Sequence, residues 1–350
     1  MSVVRRILAI GAIAAVLAAG AQLSGRNITT AAPAPSLSHN HAHAMTNVYF
    51  LLNWLPNVEF AGLWVAQQKG WFQKAGIKMN FTPWSNGKAP ETDVPAHQGA
   101  TFGFQSGAAL AIAKSRGVPD VAVYTDTQKS VFGLTVMAKS HITSLKQLRG
   151  KKIGYQSHEF YVPATMMSCV GIPETGWKPV IVSFDTSQLT SGNVDAYLTF
   201  VTNEPIALRL AGVKTRTFPA ANYCFHFYDD VMFTTSGLIK SNPALVKKVV
   251  GIVARGFNWA HTHPIPAAKL TVSHYFGPSG SSAKARANLK QQELELETFH
   301  NFSRDSSGRF SGLMKQSYWQ DSINTLYKYG EIKTKPSAAS MFTNQFNPYR

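Results

Sequence analysis

LLNWLPNVEFAGLWVAQQKGWFQKAGI, running from Leu51 to Ile77, opens as a strand and continues as a helix. Asn53, Trp54, Pro56, Asn57 and Glu59 occupy the handover. Two amides, an indole and a carboxylate at a strand-to-helix junction are what α/β proteins place against small ligands. Phe60, Ala61, Leu63, Trp64 and Val65 begin an amphipathic helix, and Gly70 stops it. The stretch KMNFTPW supplies a second strand ending near Trp84, which completes a βαβ unit and calls for a parallel sheet.

Outward from this unit the pattern repeats. ATFGFQSGAALAIAKSRG reads as a strand to Phe104, a turn at Gln105, Ser106 and Gly107, and a helix to Arg116. VAVYTDTQ and FGLTVMAK are further strands. A second series begins near Leu145: a short helix, the strand KKIGY, a polar loop, a helix containing Ala164 to Met167, then the strands PVIVSFD and VDAYLTF. DDVMFTTSGLI reads as a strand returning to the first series. Helices dominate the rest, with stripes through Leu245, Val246, Val249, Val250, Ile252, Val253 and Phe257, and through Tyr318, Trp319, Ile323, Leu326 and Tyr327. The expected organisation is one α/β lobe from 46–138 plus 236–350, a second from 139–235, and crossings near 136–140 and 232–238.

The first residues belong to export. MSVVRRILAIGAIAAVLAAGA has Arg5 and Arg6, an apolar run from Ile7 to Leu17, and the small-residue site Ala19-Gly20-Ala21. This is a signal peptide at 1–21, cleaved after Ala21, so the chain is expected in the periplasm. Residues 22–45 form a flexible lead, in which His39, His41 and His43 alternate without a further fixed ligand. The net charge is +16. Its Lys and Arg are scattered, with no basic run, so no nucleic-acid partner is expected. Oxidising conditions permit a Cys169–Cys224 bond, and two buried thiols fit equally well.

NWLPNVEFAGLWVAQQKGWFQKAGI, LKQLRGKKIG, SGNVDAYLTFVTNEP, DDVMFTTSGLIKSNPALVKKVV and MFTNQFNPYR together resemble the solute-binding proteins of ABC importers. The likeness is to the thiamine-precursor (formylaminopyrimidine), riboflavin and sulfonate-binding superfamily, over nearly all of the chain after the signal peptide. It implies a two-lobed periplasmic-binding-protein fold of type II-like build, a ligand cleft between hinged lobes, and delivery of a small solute to an inner-membrane permease. The resemblance also implies that the acid of VTNEP, Glu204, serves the ligand; a carboxylate accepts a bidentate pair from an aminopyrimidine. One departure stands out: Phe60 replaces a His that the family usually writes before AGLW.

The candidate ligand contacts are therefore Asn53, Trp54, Asn57, Trp84, Gln105, Ser106 and Gly107 in the first lobe, and Tyr155, Ser157, Glu159, Tyr161 and Glu204 in the second. Aromatic faces stack on planar rings, and amides read ring nitrogens and amines. Glu59 reads instead as a helix-start residue favouring the dipole. Aromatic and amide side chains suit a planar nitrogen heterocycle better than sulfonate or nitrate. The competing class is a pyrimidine-precursor synthase using pyridoxal and a cysteine-rich iron motif; the two distant Cys do not supply that motif. No catalytic residue, metal or cofactor is expected.

Overall fold

The computed structural model describes residues 45–85, 88–275 and 283–350. The expected signal peptide and residues 22–44 of the expected lead lie outside the described residues, which fall in one compact unit. It holds two five-stranded sheets.

The first sheet has the order β2-β1-β3-β10-β4, with β1 Thr46–Leu51, β2 Ile77–Thr82, β3 Ala100–Gln105, β4 Asp120–Thr125 and β10 Val231–Thr235. The second has the order β7-β6-β8-β5-β9, with β5 Phe132–Met137, β6 Lys152–Tyr155, β7 Lys178–Ile181, β8 Ala196–Phe200 and β9 Thr215–Pro219. The two obey the same rule. β1 lies parallel between β2 and β3, and β6 lies parallel between β7 and β8. An antiparallel strand then follows in each: β10 between β3 and β4, and β5 between β8 and β9. Each inserted strand is the first one after the chain leaves the other sheet.

This arrangement moves the expected crossings. β5 belongs to the second sheet and β10 to the first, so the passages are 126–131 and 220–230 rather than 136–140 and 232–238. The expected boundary fails because FGLTVM is a continuous apolar strand buried on both faces, and such a run pairs equally well in either sheet. The passages are fastened side by side. The Asp126 amide donates to Asp230 O (2.9 Å), the Thr127 hydroxyl accepts from the amides of Asp229 and Asp230, and the Val131 amide donates to Asp229 Oδ2 (2.6 Å).

Helices cover the sheets as the stripes require. The helix Pro243–Thr262, capped by Asn242 Oδ1 on the Leu245 amide, buries Leu245, Val246, Val249, Val250, Val253 and Phe257 against the helix Ala61–Gln68. In the helix Gln316–Lys328, Trp319, Ile323 and Leu326 turn inward while Tyr327 is exposed. The C-terminal stretch closes on β4, where Phe342 bridges Ala122. Cys169 and Cys224 are disulfide-bonded, joining the end of the helix Tyr161–Cys169 to the return passage. Phe60 is 1% exposed and packs on Trp64 and Phe104 in the core, so it adds no wall to a cleft.

Candidate functional site

Parallel strands point their carboxyl ends the same way, and ligands of open α/β sheets collect there. Here the carboxyl ends of β1, β3, β6, β7 and β8 all contribute to one cavity of about 370 Å3. β1 hands over to Asn53, Trp54, Asn57 and Glu59, and β3 to Gln105 and Ser106. β6, β7 and β8 lead to Glu159 and Tyr161, to Phe184, and to Thr202, Asn203 and Glu204 respectively. Asp229 and Asp230 enter from the return passage, and Glu295 and Phe299 from the helix Ala283–Ser303.

Eight of the candidate residues meet in this cavity: Asn53, Trp54, Asn57, Gln105, Ser106, Glu159, Tyr161 and Glu204. Four stand outside its lining. Trp84 packs behind Trp54, ring centroids 5.4 Å apart, and buttresses that indole. The Gly107 amide is already committed to Tyr228 O at 2.8 Å, and a Cβ there would meet the same oxygen. Tyr155 turns aside to pack on Phe160, and Ser157 is exposed on the loop. Some lining side chains are also spoken for by local structure. Ser106 Oγ accepts from the Ala109 amide as a helix cap, and Gln105 Nε2 donates to Glu91 Oε2 at 2.7 Å.

The walls combine rings and carboxyl groups. Phe132 and Phe200 lie 4.6 Å apart by centroid, and Trp54 meets Phe184 at 5.7 Å, which brings a β1-end residue against a β7-end residue at the mouth. Six carboxyl side chains line the space: Glu59, Glu159, Glu204, Asp229, Asp230 and Glu295. Asp229 and Asp230 are each 5% exposed, and Glu295 is 2% exposed. Burial pushes Glu204, Asp229 and Glu295 up to about 7 and Glu159 up to about 8. Burial also raises Asp230 well above its ordinary range, helped by the nearby Glu59, Asp126 and Asp229. Glu59 and Asp230 are hydrogen-bonded carboxyl to carboxyl. Glu59 therefore does more than favour a helix dipole; it faces the cavity.

Internal donors hold several of these acids in place. Glu204 Oε2 accepts from the Phe200 amide at 2.8 Å. Glu295 accepts from Gln291 and Gln292, and Gln292 in turn accepts from the Val58 amide at 2.9 Å, which ties the late helix to the β1 end. Sequence reading missed Asp229, Asp230 and Glu295. The detectable signal for Glu295 was its spacing from Gln292 and Phe299, three and four residues away on one helical face.

Comparison with known proteins agrees with this architecture. The riboflavin-binding protein RibY of Chloroflexus aurantiacus is 24% identical over 98% of this chain and 98% of its own length. The formylaminopyrimidine-binding protein of Halalkalibacterium halodurans is 20% identical over 86% of this chain and 91% of its own. Proteins named 4-amino-5-hydroxymethyl-2-methylpyrimidine phosphate synthase are also relatives. Among solved structures, the periplasmic aliphatic sulphonate binding protein SsuA of Escherichia coli superposes with a TM-score of 0.63 at 12% identity, over 85% of this chain and 91% of that one. The fold is thus the α/β periplasmic-binding-protein fold. The model of the family described as NMT1/THI5 like matches residues 57–267, a span that runs from the β1 junction through both sheets, and the chain belongs to that family.

Proposed function

We propose that the chain is the solute-binding component of an ABC importer, working in the periplasm and handing a small planar nitrogen heterocycle to an inner-membrane permease. The observation that carries this reading is the cavity into which five parallel strand ends from both sheets converge. At about 370 Å3 it lies toward the small end of ligand pockets, roughly 300–1,000 Å3. That size suits a one-ring solute such as a thiamine-type pyrimidine better than a three-ring flavin. In this reading Trp54 and Tyr161 contact the ring faces, Asn53 and Asn57 read its edge, and Glu204 accepts from an amino group and an adjacent ring N–H. Gln105, Ser106 and Glu159 complete the contacts, and the protein performs no chemistry on the solute.

The test is mass spectrometry of whatever copurifies with the exported protein, followed by melting curves with a formylaminopyrimidine, riboflavin and an alkanesulfonate. A bound solute present at about a thousand times its Kd should stabilise the protein by roughly 4 kcal/mol. The solute should be recovered unaltered after prolonged incubation. Conversion of the pyrimidine, or consumption of one of the chain's own histidines, would instead support a synthase. No shift with any of the three would remove the heterocycle reading.

A further inference from the structure

We propose that the solute occupies this cavity as an organic cation, of the amidinium, guanidinium or protonated amino-heterocycle class. The inference deepens the solute-binding reading and rests on it.

The first observation is the sign of the lining. Six carboxyl groups face the space, and among the described residues no Lys, Arg or His lines it. This holds in a chain whose net charge is +16, so the acidity is local. The acids come from separate elements: the β1 end, the loop after β6, the helix start after β8, the return passage and the late helix. Among the described residues no ion pair gives any of the six a cationic partner. Asp126, whose Oδ1 lies 2.8 Å from His261 Nε2, is close enough to Glu59 and Asp230 to push both upward.

The second observation is the kind of hydrogen-bonding capacity left over. Asn53 Oδ1, Glu159 Oε2 and Asp230 Oδ2 are buried on the cavity wall and receive no N–H or alcohol hydrogen bond. Asn53 Oδ1 can only accept, and the Glu159 and Asp230 oxygens become pure acceptors when their carboxyl groups ionise. A buried acceptor left without a donor costs about 1–3 kcal/mol, so once these acids ionise the wall calls for a guest rich in N–H groups. The third observation is the aromatic wall of Trp54, Phe132, Tyr161, Phe200 and Phe299. Ring faces attract a desolvated cation, by about 2 kcal/mol or more in dry surroundings.

These features also set how charge is traded on binding. Glu159 faces Glu204 and Asp229, Glu295 faces Glu59 and Glu204, and Asp230 faces Glu59, Asp126 and Asp229. Burial and mutual repulsion keep protons on them in the empty cavity. A bound cation supplies the missing counter-charge, so some acids ionise and protons leave to solvent. A neutral acceptor-rich solute would do the opposite, because it would need those protons as hydrogen-bond donors. A sulfonate would meet repulsion from every ionised wall.

The experiment uses three planar probes of one shape: benzamidine (a cation), benzamide (neutral) and benzoate (an anion), titrated by calorimetry into the purified exported protein. The expected result is benzamidine tightest by roughly tenfold or more, about 1.4 kcal/mol. Its affinity should rise about tenfold between about pH 5.5 and pH 8, with proton release seen as a buffer-dependent heat. E159Q and E204Q should each shrink the benzamidine preference by about fivefold or more, while their melting points confirm folding. Equal binding of benzamide, absent binding of benzamidine, or an unchanged preference in both variants would overturn the proposal. If a neutral heterocycle from the melting panel binds tightly and weakens as pH rises, the cation inference falls while the solute-binding reading stands.

Discussion

Glu204 opens a helix at the end of β8 with Pro205 behind it, and its Oε2 is fixed by the Phe200 amide. Burial raises it to about 7, so near pH 6 it is mostly a neutral acid that glutamine imitates closely in shape. E204Q should therefore leave the melting temperature of the empty protein nearly unchanged at about pH 6 while weakening solute binding by roughly 1.5–3 kcal/mol, measured by calorimetry. An unaltered Kd would remove Glu204 from the site. This residue was singled out through the family resemblance of VTNEP, whereas Asn53, Trp54 and Gln105 were legible because they stand where a strand meets a helix. Asp229 and Asp230 were not, because they precede a strand and enter the cavity from a passage that has no pattern of its own. Glu295 was hidden for another reason: it sits in mid-helix among Lys, Gln and Glu residues that read as a solvated face. Gly107 was legible as a turn, but its amide was claimed by Tyr228, a partner 121 positions away that no local reading supplies.

Among the elements, the helix Ala61–Gln68 meets the helix Pro243–Thr262 through glycines. A Cβ on Gly256 would lie 2.1 Å from Gly62 O, and one on Gly62 would lie 2.4 Å from the Phe257 ring. At Gly256 the neighbour is the Gly62 backbone, so no flexible side chain gives way there. G256A should destabilise the protein by about 3 kcal/mol or prevent folding, read from urea unfolding, whereas G251A, with open space around it, should be nearly neutral. The existence of both helices follows from their apolar stripes. Their contact depends on two glycines 194 positions apart, which periodicity does not link. The strands show the same division. Their apolar runs were readable, but membership of β5 in one sheet or the other rests on its antiparallel pairing with β8 and β9.

For the whole molecule, the cavity acids make stability depend on pH. Glu204, Asp229 and Glu295 titrate near 7 and Glu159 near 8 in the folded chain, well above ordinary carboxylates. Between about pH 4.5 and 8 the folded form thus holds protons that the unfolded chain has released, and stability falls as pH rises through that window. The empty protein should melt higher at about pH 5 than at about pH 8, by roughly one to several kcal/mol, as calorimetry would record. A flat profile would mean that the acids are compensated. The two-sheet plan itself was legible from the repeated strand–helix units, since parallel pairing leaves little freedom in how such units stack.

The Cys169–Cys224 bond has a consequence for the return passage. It welds the start of the return passage to a helix beside the second sheet, so residues 220–224 travel with that sheet. What remains of the passage between that anchor and β10 is 225–230, which ends in Asp229 and Asp230. The same short piece of backbone carries two of the cavity acids, Asp229 and Asp230. One covalently anchored strap thus holds two of the cavity acids at a fixed distance from the second sheet's helix.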